Sequence, residues 1–383
     1  MSVRCPKCGG TAERAGGVCP ACGAALPPPA KKKKKKRINR FVRSLLAVWR
    51  TLVVLLLSAA AFALALAGAC LVLTRGPSED ARNLFVQSAD ETSALKFLPR
   101  WFLPEETVEA ILHPVRGGDG AAPGFKEIGY EPAEGETEAP PLVVITEESV
   151  TDELEIIDIR KATFKGKMLI IHDPSRVVVG TLDRYGGSGM YLTEFMDKYD
   201  AIAGTNAGGF DDPGGNGSGG IPDGIVMENG AIKYGSRTSW YRNLIGFDAD
   251  HILHVGSMTG QDALDLGIVN AVSFSPGPVL IQDGVKLTDL GGGVNPRTCI
   301  GQREDGAVLL AVLEGRHPDS LGATYDDLAD LMEEYGAVNA ANLDGGSSSA
   351  MMYDGEQITK GSNLIGSRRM ATAILVLREG GGS

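Results

Sequence analysis

Acidic residues are nearly missing from the first 73 positions of this 383-residue chain, where one Asp/Glu stands against 13 Lys/Arg. The rest carries the opposite excess, so a front of charge +12 is joined to a remainder of −23 within a net charge of −11. That asymmetry argues against one evenly solvated globule and asks what separates the two parts. Histidine is scarce, with five in all, and His172, His251, His254 and His317 show no metal-ligand spacing. Cys299 is the single cysteine beyond Leu73, which excludes an internal disulfide there. Glycine, by contrast, is abundant at 51 residues. It sits among apolar strand-like runs, which points to loops with positive φ or close backbone approach rather than to general disorder.

The separator is TLVVLLLSAAAFALALAGACLVL, residues 51–73, uncharged throughout and long enough as a helix to cross a bilayer core of about 30 Å. KKKKKKR (31–37), Arg40, Arg43 and Arg50 flank it on the N-terminal side. Excess Lys/Arg marks the cytoplasmic flank, so the expected topology is a single pass with the amino terminus inside and the acidic part exported. A cleaved signal peptide is the competing reading; a preceding cysteine module and a long polar lead favour a retained anchor. Beside a membrane span, the lysine run is expected to meet anionic lipid rather than nucleic acid.

Cys5-x2-Cys8 and Cys19-x2-Cys22, each inside a CPxCG pattern, supply four thiolates suited to one tetrahedral Zn²⁺ in a segment with almost no core of its own. A reducing cytoplasmic side disfavours disulfides there. Such a ribbon is structural or an adaptor, and no catalysis is expected of it. Past the span, Ser93 to Leu112 mixes charge with Phe97, Trp101 and Phe102, aromatics suited to the headgroup level or to packing on the domain beyond. His113 to Pro141 is rich in Gly, Pro and Glu and reads as a linker. The expected organisation is a zinc ribbon at 1–26, a basic juxtamembrane linker at 27–50, a transmembrane helix at 51–73, a stalk and linker at 74–141 and a folded domain at 142–379.

Within that domain the runs KMLIIHD, RVVVGTL, DAIAG, GIVM, AVLLAVL and TAILVL are apolar, short and bounded by Gly, Asn or Asp, the signature of strands. TYDDLADLMEEYG is the clearest helix: Thr324 and Asp327 form a capping pair, Leu328, Leu331, Met332 and Tyr335 share a face, and Gly336 suits the position after the end. No internal repeat is evident. The expected fold class is α+β, dominated by mixed β-sheet with few helices.

Three strands end in polar loops. DAIAG leads into TNAGGFDD (205–212), AVLLAVL into EGRHP (314–318), and AVNAANL into DGGSSS (344–349). Loops at strand ends on a rigid sheet are the usual place for a site. A fourth segment, GGGVNPRTCIGQ (291–302), adds Arg297 and Thr298. Guanidinium forks fit phosphate oxygens, and the N–H groups of Gly345 and Gly346 are candidates for an anion-binding nest. The acidic run DDPGGNGSGG (211–220) offers carboxylates and carbonyls suited to Ca²⁺ without the full pattern of a calcium loop.

Together NLDGGSSSAM, NPRTCIGQ, TNAGGFDD, GGIPDGIV and the helix before Asn342 resemble the phosphodiester glycosidase family, from about Leu142 to Glu379. The resemblance implies cleavage between a sugar C1 and a phosphodiester oxygen, releasing free sugar and a phosphomonoester. The chain departs from the family's pattern in Ser347, where a third glycine is usual, and in Gly209, where an aromatic is usual. Most glycosidases use two carboxyl groups around an oxocarbenium-like transition state, and Asp344 with Glu314 is the expected pair, with Asp223 in reserve. A phosphate leaving group is weakly basic, so charge neutralisation by Arg297, Arg316 and the Gly345 and Gly346 amides is expected to supply much of the rate enhancement. Asn206, Gly208, Thr298, Ser347 and Ser348 complete the expected substrate site. The expected substrate is a glycan phosphodiester of the cell envelope or of exopolysaccharide. The alternative is a catalytically silent carbohydrate-binding or envelope-organising protein.

Overall fold

The computed structural model describes residues 3–13, 16–27, 40–92, 95–113, 143, 145, 150–151, 153–213, 217–275, 277–361 and 368–379. The lysine run, nearly all of the expected linker and part of the 211–220 run lie outside the described residues. The chain divides into two compact units, Met1–Gly68 and Ala69–Ser383.

In the first unit, a two-stranded ladder pairs Val3–Arg4 with Thr11–Ala12. Helix α1, Arg40–Arg75, is longer than the expected span at both ends. Its stretch Ser44–Arg75 is long and apolar enough to cross a membrane. Leu56, Leu57, Phe62 and Leu64 are exposed on its surface, a burden that water disfavours and lipid removes.

The second unit is α+β, as expected, and its sheets are built of antiparallel pairs throughout the described strands. A seven-stranded sheet runs in the order Val285–Lys286, Val279–Gln282, Ala337–Asn342, Arg297–Arg303, Val308–Leu313, Lys165–Ile171, Leu154–Arg160. A five-stranded sheet runs Glu356–Gln357, Met351–Tyr353, Ala201–Asn206, Ala373–Leu377, Val177–Gly180. A second five-stranded sheet holds Ala231–Tyr234, Val226–Glu228, Ile268–Ser273, Trp240–Asp248 and Leu253–Thr259.

The unbroken apolar run AVLLAVL is explained by its place in the layers. Val308, Leu310 and Val312 face the core between sheets, while Ala307, Leu309, Ala311 and Leu313 face the core beneath a helix. A strand buried on both faces has no position for a polar side chain. Three short helices precede this domain in the same unit: α2 (Glu79–Asp90), α3 (Leu98–Phe102) and α4 (Glu105–Leu112). Two more, α5 (Leu192–Tyr199) and α6 (Gly260–Asp265), carry too few apolar positions to stand out as periodic. The expected helix is α7 (Tyr325–Glu334), with Thr324 and Asp327 capping reciprocally and Gly336 at φ 80°. Its Leu328, Leu331 and Met332 are buried against the seven-stranded sheet, while Leu192, Phe195 and Met196 of α5 pack with Leu375 and Met352 of the first five-stranded one.

Candidate active site

The segment NLDGGSSSAM is the crossover between two sheets. Strand Ala337–Asn342 belongs to the seven-stranded sheet, and Met351–Tyr353 pairs with Ala201–Asn206 in the five-stranded one. Antiparallel neighbours bring the other loops to the same edge. Cys299 pairs with Asn342 and Arg297 with Leu313, so the start of one strand lies beside the ends of the two that lead into Asp344 and Arg316. The result is a cavity of about 410 Å³, lined in part by Asp344, Gly345, Gly346, Ser347, Ser348, Arg297 and Arg316.

Asp344 is held at its backbone. Its N–H donates to Ala207 O at 2.8 Å, and Asn206 Nδ2 donates to its carbonyl. Asn206 Oδ1 accepts in turn from Thr298 Oγ1 at 2.8 Å and from Ala350 N at 3.2 Å. Asn206 and Thr298 are thus a buried brace under the acid and do not line the cavity. Gly208 is equally internal: its N–H donates to Thr372 Oγ1 at 3.0 Å, and a Cβ there would lie 3.0 Å from Ser273 O. Burial raises the Asp344 carboxyl to about 6, against the opposing pull of hydrogen bonds from Ser348 and the Gly345 N–H and of the Arg368 charge.

The expected amide nest is corrected by the structure. Gly345 N–H donates to Asp344 Oδ1 at 2.9 Å and Gly346 N–H to Pro296 O at 2.8 Å. Both amides are spent on holding the loop in shape, so the positive charge at the cavity comes from side chains, three arginines and Lys96. Arg297 is 4% exposed, with its guanidinium carbon 3.9 Å from the Tyr325 ring centroid and its Nη2 2.7 Å from the Glu91 carboxylate. Arg316 adopts φ 61°, a left-handed conformation a non-glycine residue rarely takes. Its Nη2 donates to Thr92 Oγ1 at 3.1 Å and Asn295 Oδ1 at 3.0 Å, both neutral acceptors. Burial pushes its pKa down, with Glu91 opposing and Arg297 adding to the fall. A guanidinium whose side-chain partners are neutral oxygens is a site for an anion.

Arg368 belongs to the cavity although the loop motifs do not single it out; the one signal is its position just before the last strand. It forms a bidentate pair with Asp212, 2.7 Å on each arm, and donates to Ser347 Oγ at 3.0 Å. Burial pulls Asp212 upward, but Arg368 and the Gly217 N–H outweigh it and hold the carboxylate below its usual range. Both oxygens of Asp212 are therefore engaged, one with each Arg368 nitrogen and Oδ1 also with the Gly217 N–H.

The two other expected acids stand apart. Glu314 Oε1 accepts from the Lys360 N–H at 2.7 Å and does not line the cavity. Asp223 lies beyond Gly209, whose carbonyl accepts its N–H at 2.9 Å; burial and then the Asp211 charge raise its pKa. Strand ends alone do not distinguish a side chain turned into the cavity from one turned along the surface. Gly209, in place of an aromatic, is explained by Phe274: a Cβ on Gly209 would lie 2.6 Å from that ring. Phe274 and Phe210 both line the cavity. An adjoining depression of about 670 Å³ shares Ser347, Ser348 and Arg368 and extends past Tyr191, Ser349 and Gln357. Ser349 Oγ is buried and finds no hydrogen-bond partner among the described residues.

A second candidate site lies in the first unit. The Sγ atoms of Cys5, Cys8, Cys19 and Cys22 all fall within 4.8 Å of one another, with Cys5–Cys22 at 3.6 Å and Cys8–Cys19 at 3.7 Å. Four thiolates about 2.3 Å from a tetrahedral centre stand about 3.8 Å apart, so the spacing fits a metal. Gly9 at φ 74° and Gly23 at φ 72° close two matching turns, each donating its N–H to the carbonyl of Cys5 or Cys19.

Among known proteins, the sequence model of the phosphodiester glycosidase family matches residues 199–377. A 64-residue stretch is 41% identical to the SPbeta prophage-derived uncharacterized protein YomE of Bacillus subtilis, covering 17% of this chain and 10% of that one. The chain thus spans about a tenth of the length of that curated relative. Of solved structures, the zebrafish N-acetylglucosamine-1-phosphodiester alpha-N-acetylglucosaminidase catalytic domain, auto-inhibited by its pro-peptide, is 20% identical, with 59% of this chain and 83% of that one covered and a TM-score of 0.48. A putative exported protein from Burkholderia pseudomallei is 16% identical over 56% of this chain and 74% of that one, with a TM-score of 0.43. Residues 199–377, the stretch that the phosphodiester glycosidase family's model matches, hold Asp344 and all three arginines of the cavity.

Proposed function

We propose that the chain is a membrane-anchored, exported hydrolase that cleaves the bond between a sugar C1 and phosphate in glycosyl phosphodiesters of the cell envelope or of exopolysaccharide. The observation that carries this reading is the single cavity in which an acid raised to about 6 meets an arginine held by neutral side-chain partners. Arg297 and Arg368 are neutralised by Glu91 and Asp212. Arg316 is left to bind charge, which suits the one negative charge of a phosphodiester.

Asp344, mostly ionised at neutral pH, stabilises positive charge developing at C1 or takes a proton from the attacking water. Arg316 holds the departing phosphate, which needs little protonation because it is a weak base. Glu314, on its observed position, is not its partner. Phe274 or Phe210 offers an apolar face to a sugar ring, and Ser348, Ser349 and Gln357 offer hydroxyl and amide groups to its substituents. α2 begins four residues after α1 ends, at Glu79 against Arg75. From the rise per residue, Glu91 therefore stands within roughly 30 Å of the end of the apolar helix, which supports a substrate at the membrane face. The lysine run is assigned to anionic lipid, and the four cysteines to a structural Zn²⁺.

The test is release of reducing sugar from methyl N-acetylglucosamine 1-phosphate by the detergent-solubilised full chain. Product in the wild type and none in Asp344→Asn is expected. Saturable glycan binding without any product would instead identify a silent binding protein.

A further inference from the structure

We propose that helix α2, which follows the apolar helix, is a permanent wall of this active site, and that Glu91 is the positioning residue that sets its arginines. The inference rests on the phosphodiester reading only for the identity of the substrate; the geometry stands without it.

Glu91 caps the C-terminal end of α2, where a carboxylate opposes the helix dipole and is locally disfavoured. It is held there by three donors from one loop. Arg297 Nη2 and Asn295 Nδ2 each donate to Oε2 at 2.7 Å, and Gly293 N–H donates to Oε1 at 3.1 Å. One turn back, Ser88 Oγ accepts from Val294 N–H at 2.9 Å. One residue on, Thr92 Oγ1 accepts from Arg316. Asn295 links the two arginines, donating to Glu91 and accepting from Arg316.

The contact is built into the sequence on both sides. A Cβ on Gly293 would lie 2.2 Å from Ser88 N, so only glycine lets the loop meet the helix. In GGGVNPR the glycines thus serve as the seat for α2, and the helix itself is anchored through buried Val86, Ala89 and Val108 of α4. A detachable plug would fill the cavity it blocks. Here about 410 Å³ stays open beside Glu91, so the helix shapes the anion site without occupying it.

The experiment compares the full chain with its Glu91→Ala and Thr92→Val variants, measuring inorganic phosphate binding by calorimetry alongside KM and kcat for the phosphodiester. In Glu91→Ala the loop and Arg297 lose their tether, and we expect phosphate Kd and KM to rise at least tenfold with kcat within threefold. Thr92→Val removes one acceptor from Arg316 on a partly exposed surface, leaves the fold intact, and is expected to raise both constants about threefold to tenfold. Unchanged constants in both variants, or tighter phosphate binding by Glu91→Ala, would overturn the proposal, the latter by showing that the carboxylate occupies the anion's place. Phosphate binding needs no turnover: a wild type that binds phosphate but releases no sugar refutes the hydrolase reading and leaves this one to the calorimetry. A wild type that binds no phosphate refutes both.

Discussion

Replacing Asp344 by Asn should stabilise the protein at neutral pH while removing its activity. The folded carboxyl titrates near 6 against an ordinary 3.8, so the folded state binds the proton more tightly than the unfolded one. Ionising the group therefore costs stability: the cost is absent below the unfolded value, grows as pH rises from about 4, and is complete above about 6. At about 1.4 kcal/mol per pH unit the full cost, net of the Ser348 and Gly345 hydrogen bonds, is roughly 3 kcal/mol. Asparagine keeps an oxygen for the Gly345 N–H and carries no charge. Thermal unfolding of the purified full chain, followed from pH 4 to 8 beside the wild type, should show Asp344→Asn melting several degrees higher at pH 8, with the gap closing toward pH 4. Turnover should fall by about 10²–10⁴. An Asp344→Asn variant that melts lower than wild type at pH 8, or a gap that does not depend on pH, would refute the reasoning that the acid is desolvated for function.

Glu314→Gln should leave kcat and KM within threefold, because its carboxylate faces the Lys360 amide, whereas Arg316→Ala should raise KM at least tenfold; both are read from steady-state sugar release. Atomic absorption on the purified chain should find one Zn²⁺, lost in Cys5→Ser, with turnover unchanged by that loss.

The features legible in the sequence are those set by local physics. The strands 308–313 and 373–377 are continuous apolar runs, and α7 announces itself through Thr324, Asp327 and Gly336, whose effects reach only a turn away. Asp344 and Arg316 were legible as candidates because each follows the end of an apolar strand, and Arg297 because it opens the strand that pairs with both. Glu314 sits in the same kind of place and faces elsewhere, since direction at a strand end depends on what the neighbouring loop fills. Arg368 and Glu91 lay outside the loop motifs because their significance comes from partners 156 and 206 residues away.

The order of residues by itself determined the charge division, the long apolar helix, the paired cysteine knuckles and the sheet-rich α+β class, because composition and short-range periodicity are enough to set them. Only the tertiary structure decided which carboxyl is desolvated, which arginine keeps neutral partners, and that a helix from outside the domain motifs borders the cavity. Those depend on burial and on contacts between distant segments, and electrostatics in a protein is set by three-dimensional surroundings rather than by neighbours in the chain.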